Sequence, residues 1–156
     1  MVTRASKAAL LEVSKAALLT SRVPPCRESE GPALHVIAMS PENVTTTPNG
    51  TMTGLASPSR GSVELSTWHA AFSAGITGPE HSVSREQVWR VTAGAMEVTC
   101  DGRTEKVSAG QVVVLPPDVP RHVHALEDTE VYVVMRADAL VSVPGAEGTR
   151  TLPWAT

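Results

Sequence analysis

Along most of the chain, short segments of mainly apolar residues are separated by clusters of turn-forming residues. The clearest segments are 63–72, 88–100, 112–115 and 130–135, with shorter ones around Val107 and Val123. An apolar–polar period of two is typical of strands that bury one face. Several short strands at near-regular spacing, with no helix-period segments between them, favour a sandwich or a small barrel. The pattern therefore predicts an all-β fold.

Turn signals support this prediction and locate one hairpin. Asp101-Gly102 lies between two alternating segments, and this dipeptide is a strong signal for a two-residue hairpin turn. Gly94 interrupts the segment that ends at Cys100, and Pro116-Pro117 follows the segment that ends at Leu115. We therefore expect tight antiparallel connections in the middle of the chain.

The beginning of the chain has a different character. Residues 5–11 and 13–19 share the run Ser-Lys-Ala-Ala-Leu-Leu, which is strongly helix-forming, and Pro24-Pro25 follows. Residues 1–33 are therefore predicted to be an N-terminal helical extension and linker, and residues 34–156 a single domain.

Within that domain, the stretch before residue 63 is harder to assign. The short apolar run 34–39 predicts an outer strand. Residues 40–62 are rich in Ser, Thr, Pro, Asn and Gly, which predicts a long ordered loop or short edge strands.

Composition excludes several classes of partner. The chain has 156 residues and a formal net charge of −3, with no basic stripe, so it predicts neither a nucleic-acid partner nor a membrane partner. Its longest apolar runs near the N-terminus are four residues, too short for a signal peptide core. Cys26 and Cys100 do not make a disulfide framework. We therefore expect a cytoplasmic location.

Two stretches have the spacing of the paired motifs of the cupin superfamily. The first family pattern is Gly, five residues, His-x-His, three or four residues, Glu, six residues, Gly. This chain has Gly75, five residues, His81-Ser82-Val83, three residues, Gln87, six residues and Gly94. Every spacing is met, but Val83 replaces the second His and Gln87 replaces the Glu.

The second family pattern is Gly, five residues, Pro-x-Gly, two residues, His, three residues, Asn. In this chain Gly110 is followed after five residues by Pro116, and Asp118 takes the place of the Gly. Arg121 replaces the His and Ala125 replaces the Asn. The chain thus resembles a small monodomain cupin of the actinobacterial type, with degenerate metal-binding motifs.

The resemblance covers about residues 63–140 and implies a cupin-type antiparallel β-barrel, which is a double-stranded β-helix or jelly roll. In metal-binding cupins, three His and one Glu hold a divalent ion inside the barrel. When these four ligand positions are transferred to this chain, only His81 remains a good metal ligand. Val83 cannot coordinate a metal, and Arg121 brings a positive charge. The resemblance therefore implies no metal cofactor at these positions.

A metal-bearing alternative depends on strand register. His122 and His124 lie two residues apart and would share one face of a strand. If a bulge shifts the register by one residue, both could turn inward and bind a divalent transition metal with His81 and Gln87. Without the shift, they face out of the barrel and a metal-free site remains.

The alternation of inward and outward side chains along the strands predicts which residues form the metal-free site. If His81 faces inward, so do Gln87 and Arg121, and we predict that these three form the catalytic group. His81 would act as acid or base, Gln87 would orient a carbonyl, and Arg121 would hold a negative charge. The predicted substrate-binding residues on the same faces are Trp89, Val83, Val91 and Val123.

The resemblance implies a small-molecule substrate and leaves three functions open. The first is a metal-independent cyclase-like or isomerase-like enzyme of secondary metabolism, with non-oxidative chemistry. The second is a metal-dependent, dioxygenase-like enzyme that uses His81, His122 and His124, and the third is a ligand-binding cupin without catalysis. Small cupins commonly pair their sheets, so the resemblance also implies a homodimer.

Overall fold

The fold, taken from a computed structural model, is described for residues 34–156, so the predicted N-terminal helical extension (1–33) lies outside the described residues. The strands are β1 (Val44–Thr47), β2 (Gly50–Gly54), β3 (Leu65–Phe72), β4 (Ser82–Val83), β5 (Gln87–Ala93), β6 (Ala95–Cys100), β7 (Arg103–Ser108), β8 (Val112–Leu115), β9 (Arg121–Ala125), β10 (Thr129–Arg136) and β11 (Val141–Ser142). The helical elements are three 3₁₀ turns, Pro41–Asn43, Pro58–Arg60 and Pro153–Ala155.

The strands form two antiparallel layers. One layer is a six-stranded sheet in the order β1-β2-β3-β10-β5-β8. The other contains the three-stranded sheet β7-β6-β9 and the pair β11-β4. Backbone bridges from β9 to Thr77 and His81 extend this second layer toward β4. This arrangement of the strands in the two layers is that of a jelly roll. It confirms the all-β prediction.

The core lies between the layers and is filled mainly by alternate residues of β3, β5, β9 and β10. On β3, burial alternates along the strand and places Trp68 and Ala70 inward. On β10, the same alternation buries Val131, Val133 and Met135. The period of two in the sequence therefore reflects one buried and one outer face.

Two glycine positions show why the turns occur where the sequence predicts them. Asp101 and Gly102 both have positive φ, 51° and 73°, as a two-residue hairpin turn between β6 and β7 requires. Gly94 has φ +71°, and a Cβ there would lie 2.1 Å from the carbonyl oxygen of Asp128. The hairpin prediction is confirmed, and Gly94 separates β5 from β6.

The region before β3 corrects one prediction and refines another. Residues 34–39 form no strand, and Leu34 and Val36 are each 92% exposed, so apolar composition alone did not provide a pairing partner. Within 40–62, β1 and β2 form a hairpin whose second strand pairs with β3. Among the described residues, no helix is long and apolar enough to cross a membrane.

Candidate functional site

A cavity of about 410 Å³ lies against the inner face of the barrel and includes His81 and Gln87 in its wall. Small-molecule sites have volumes of roughly 300–1,000 Å³. The chain contains three Trp and one Phe, and all four line this cavity: Trp68, Trp89, Trp154 and Phe72. Two of the motif residues, His81 and Gln87, and four aromatic side chains thus meet at this cavity.

A larger and more open groove, of about 590 Å³, runs between the β1–β2 turn and residues 128–130. It contains none of the motif side chains at positions 81, 87 and 121. The smaller cavity is therefore the candidate site.

His81 is positioned by its backbone pairing with β9. Its N–H donates to the carbonyl of Arg121 at 3.0 Å, and the N–H of Arg121 donates back at 2.9 Å. Directly opposed residues in an antiparallel pair present their side chains on the same face. The fold therefore places the His81 and Arg121 side chains side by side, as their positions in the two motifs predict.

The protonation state of His81 follows from its surroundings. Burial lowers its pKa, the hydrogen bond to Pro79 partly opposes that, and the charge of Arg121 lowers the pKa further. Nδ1 lies 3.0 Å from the carbonyl oxygen of Pro79, which can only accept, so Nδ1 carries the proton of the neutral ring. The lone pair is then on Nε2, which forms no hydrogen bond within residues 34–156.

Among residues 34–156, Arg121 is the largest fully buried side chain, at 1% exposed. Its Nη2 donates to the carbonyl of Pro116 at 2.8 Å and its Nε to that of Val119 at 3.2 Å. Nη1 donates to Oε1 of Gln87 at 3.2 Å. Burial lowers the pKa of Arg121, but a guanidinium stays protonated in proteins. No carboxylate in the described part of the chain forms an ion pair with it.

Gln87 links this buried cation to the cavity. The side chain is 1% exposed and its oxygen is occupied by Arg121. Its Nε2 donates to Sδ of Met135 at 3.6 Å, a weak acceptor, which leaves one N–H of the amide free. Arg121 itself does not line the cavity. Arg121 therefore lies behind Gln87, and its predicted contact with a substrate anion stays a prediction.

These residues do not fit the divalent metal that the family motifs imply. The four motif positions hold His81, Val83, Gln87 and Arg121. The only side-chain oxygen among them already accepts from a guanidinium, and that guanidinium would repel a cation. In residues 34–156, no three His, Cys, Asp or Glu side chains come together as a group able to hold a metal ion.

The alternative ligand set is not assembled either. β9 pairs with β6 in continuous register from Met96–Ala125 to Cys100–Arg121, so the bulge that this set requires is missing from β9. His122 and His124 alternate with the buried residues of β9 and face away from His81. Nδ1 of His124 lies 2.8 Å from Oγ1 of Thr77 on that outer side.

The apolar residues predicted to bind substrate fall into two groups. Trp89 and Val123 line the cavity. Val83 and Val91 are also inward-facing, but both are fully buried and neither lines the cavity. Alternation along a strand determines whether a side chain points into or out of the barrel. Where along the barrel a cavity remains depends on how the side chains fill the interior.

Sequence reasoning missed one wall of the cavity, which residues 150–154 form. Arg150 exchanges backbone hydrogen bonds of 2.8 and 2.9 Å with Val141, and Oγ of Ser66 donates to the carbonyl of Ala155 at 2.5 Å. The only local signal was the apolar segment Leu152-Pro153-Trp154, which is too short for a period to be recognised.

Comparison with known proteins agrees with this architecture. A family model described as "Cupin domain" matches residues 68–136, which span β3 to β10. Salicylate 1,2-dioxygenase from Pseudoaminobacter salicylatoxidans superposes with a TM-score of 0.58 at 20% identity, covering 65% of this chain and 31% of that one. The chain therefore spans about a third of the length of that protein.

KdgF from Halomonas sp. superposes with a TM-score of 0.54 at 23% identity, covering 66% of this chain and 86% of that one. No curated protein matches the chain in sequence. At these identities the solved structures show a shared fold. Residues 68–136 therefore match a cupin domain model, and the chain is similar to cupins in its motif spacings and in its jelly-roll fold.

Proposed function

We propose that this cupin is a metal-independent enzyme that catalyses a proton transfer, of the isomerase or cyclase type, on a small molecule in the barrel cavity. The observation that carries the proposal is the Gln87–Arg121 hydrogen bond, because it puts a fixed internal cation at the motif position of a metal-binding His. The site still offers a base and a hydrogen-bond donor to a bound molecule.

His81 is the base in this proposal. Its Nδ1–H is held by Pro79, so the lone pair of Nε2 is available, and its lowered pKa keeps the ring neutral at neutral pH. A positioned general base typically contributes about 10²–10⁴-fold to rate. The proton that Nε2 accepts makes His81 an imidazolium, which then serves as the acid that returns it.

Gln87 is the donor that stabilises negative charge. Its oxygen is turned toward Arg121, so the amide nitrogen is directed away from the cation and keeps one N–H free. When a base removes a proton from the carbon beside a carbonyl, the electron pair moves to the carbonyl oxygen. A hydrogen bond from Gln87 would stabilise that oxyanion, and Arg121 would strengthen the amide dipole as a positioning residue.

The complete step balances within the substrate and His81. One C–H bond breaks, its proton moves to Nε2 and an enolate forms against Gln87. Return of the proton at a different atom gives an isomer, and attack of the enolate carbon on an electrophile in the same molecule closes a ring. Neither outcome requires an external oxidant or reductant.

Two alternatives remain as competing functions. A metal-dependent, dioxygenase-like enzyme would need ligands that the present register of β9 leaves on the outer side, at His122 and His124. A ligand-binding cupin would use the same cavity without the proton transfer. The homodimer and the cytoplasmic location also stay predictions that rest on resemblance and composition.

The test uses enolisable aryl carbonyl acids, with phenylpyruvate as the first member, in D₂O. We expect the protein to accelerate exchange of the proton beside the carbonyl, followed by ¹H NMR, and His81→Ala to lose about 10²–10⁴-fold of that rate. His124→Ala is the matched control, because it removes an imidazole from the outer face of β9. Exchange should be unaffected by EDTA.

Elemental analysis of the wild type and of His122→Ala/His124→Ala separates the metal-dependent alternative. About one metal per wild-type chain, lost in the variant, would contradict the proposal. Saturable binding of the acids without any exchange would instead favour the ligand-binding alternative.

A further inference from the structure

We propose that the cavity recognises a planar aromatic carboxylate and that Arg150, at its C-terminal wall, binds the carboxylate group. The inference rests on the proposed function for the use of this cavity, and it adds the class of molecule and the residue that selects it.

The aromatic lining indicates a flat apolar ligand. Trp68, Trp89 and Trp154 belong to β3, β5 and the C-terminal wall, so three separate segments each bring a tryptophan to one cavity. Trp68 and Trp154 meet edge to face, with ring centres 6.5 Å apart and planes at 63°. Aromatic rings prefer offset-stacked or edge-to-face contacts with other rings, so this lining favours a ring system over a flexible chain.

The charge of the lining indicates an anion. The chain as a whole carries a net charge of −3, yet within residues 34–156 no Asp or Glu lines the cavity. The ionisable side chains in its wall are His81 and Arg150, and the buried cation of Arg121 lies behind Gln87. A cleft whose fixed charge has one sign concentrates ligands of the opposite sign.

Arg150 has the placement that carboxylate binding needs. Its backbone is held to Val141 by two hydrogen bonds, while its side chain is exposed at the cavity wall. In the described part of the chain its guanidinium forms no ion pair, so its donors remain available. Guanidinium groups bind carboxylates through paired hydrogen bonds.

The volume of the cavity indicates the size of the ligand. A cavity of roughly 150 Å³ accommodates benzene, so about 410 Å³ holds one or two fused rings with substituents.

The test measures binding by isothermal titration calorimetry with 2-naphthoate, and with 2-naphthamide as its neutral counterpart. We expect 2-naphthoate to bind at one site per chain and Arg150→Gln to weaken it about tenfold, as the loss of one charge-assisted hydrogen bond predicts. Binding of 2-naphthamide should change little. Arg90→Gln is the control, because it removes the same charge from the outer face of β5.

Calorimetry needs no turnover, so it separates this inference from the proposed reaction. Binding of 2-naphthoate that depends on Arg150, in a protein that exchanges no protons, supports the inference and counts against the reaction. Equal affinity for the acid and the amide, an unchanged affinity in Arg150→Gln, or no binding of either probe would overturn the inference.

Discussion

The interior of this barrel has two contrasting regions. At the Gln87–Arg121 corner, a buried guanidinium donates to the protein itself, so its polar groups are occupied by neighbouring residues. In the aromatic cavity that Gln87 borders, Nε2 of His81 has no hydrogen-bond partner in residues 34–156. One region is closed by hydrogen bonds and the other is open to a ligand.

This contrast between the two regions indicates that some motif residues have a structural role and others a chemical one. A buried polar group that is fully hydrogen-bonded stabilises and orients its surroundings, whereas an unpaired one is costly unless a ligand engages it. Under the proposed function, Arg121 therefore orients Gln87, and His81 is the group that reacts with the bound molecule. Four experiments test this division, in order of decreasing effect.

The largest effect should come from restoring the metal-ligand positions. The triple variant Val83→His/Gln87→Glu/Arg121→His should bind a divalent ion such as Co²⁺ at about one per chain, because Arg121→His removes the cation and frees volume for the new imidazole. A micromolar Kd would correspond to about 8 kcal/mol of binding free energy. Visible absorption of Co²⁺ reports binding.

The double variant Val83→His/Gln87→Glu retains Arg121 and is the control for that experiment. It should not bind Co²⁺, since the guanidinium would pair with the new carboxylate. Equal binding by the double and triple variants would show that Arg121 is not what excludes a metal.

Removing the buried guanidinium should give the next largest effect. Arg121→Met keeps an apolar stem but leaves the carbonyls of Pro116 and Val119 and the oxygen of Gln87 without a donor. We expect a loss of about 3 kcal/mol in the free energy of unfolding, measured with urea. Arg90→Met, on the outer face, should change it by less than about 0.5 kcal/mol. A fully stable Arg121→Met variant would contradict the structural role.

A smaller effect should follow from moving the C-terminal wall of the aromatic cavity. In Gly54→Ala the new Cβ would lie 2.6 Å from the carbonyl oxygen of Trp154, so the C-terminal wall must move. We expect a loss of about 1–2 kcal/mol in stability and weaker binding of 2-naphthoate. Gly78→Ala places its Cβ 3.4 Å from Val123 and should be tolerated. Unchanged binding in Gly54→Ala would show that this wall does not shape the site.

The smallest effect is the pH dependence of stability due to His81. Burial and the charge of Arg121 lower its pKa below the ordinary value of about 6.5. The unfolded chain then binds this proton more readily, so the free energy of unfolding should fall as the pH drops from about 6.5 toward the folded-state pKa. Urea titrations at several pH values should show a weaker slope in His81→Gln, and an identical slope would contradict the lowered pKa.

Sequence patterns predicted the strands well because their signals are local. Alternation identified the inward faces of β5 and β9, and a two-residue turn at Asp101-Gly102 demanded positive φ at both positions. The same alternation put His81, Gln87 and Arg121 on inward faces, and the structure brings their side chains together. The strand prediction failed at residues 34–39, because this apolar run has no neighbouring strand to pair with.

Patterns could not predict which inward residues border a cavity. Val83 and Val91 satisfy the same parity rule as Trp89 and Val123, yet only the latter pair reaches the open space. Nor could they show that Arg121 bonds to Gln87 and stands behind it, because that depends on how a long side chain fills the space between two strands.

By itself, the sequence determined the fold class, the hairpin positions, the loss of good metal ligands and the set of side chains facing the interior, since each follows from residue type and short spacing. Only the tertiary structure decided where the interior stays open. The C-terminal wall is held to β3 by the Ser66–Ala155 hydrogen bond, between residues 89 positions apart. Contacts at such separations arise from packing, which no local pattern encodes.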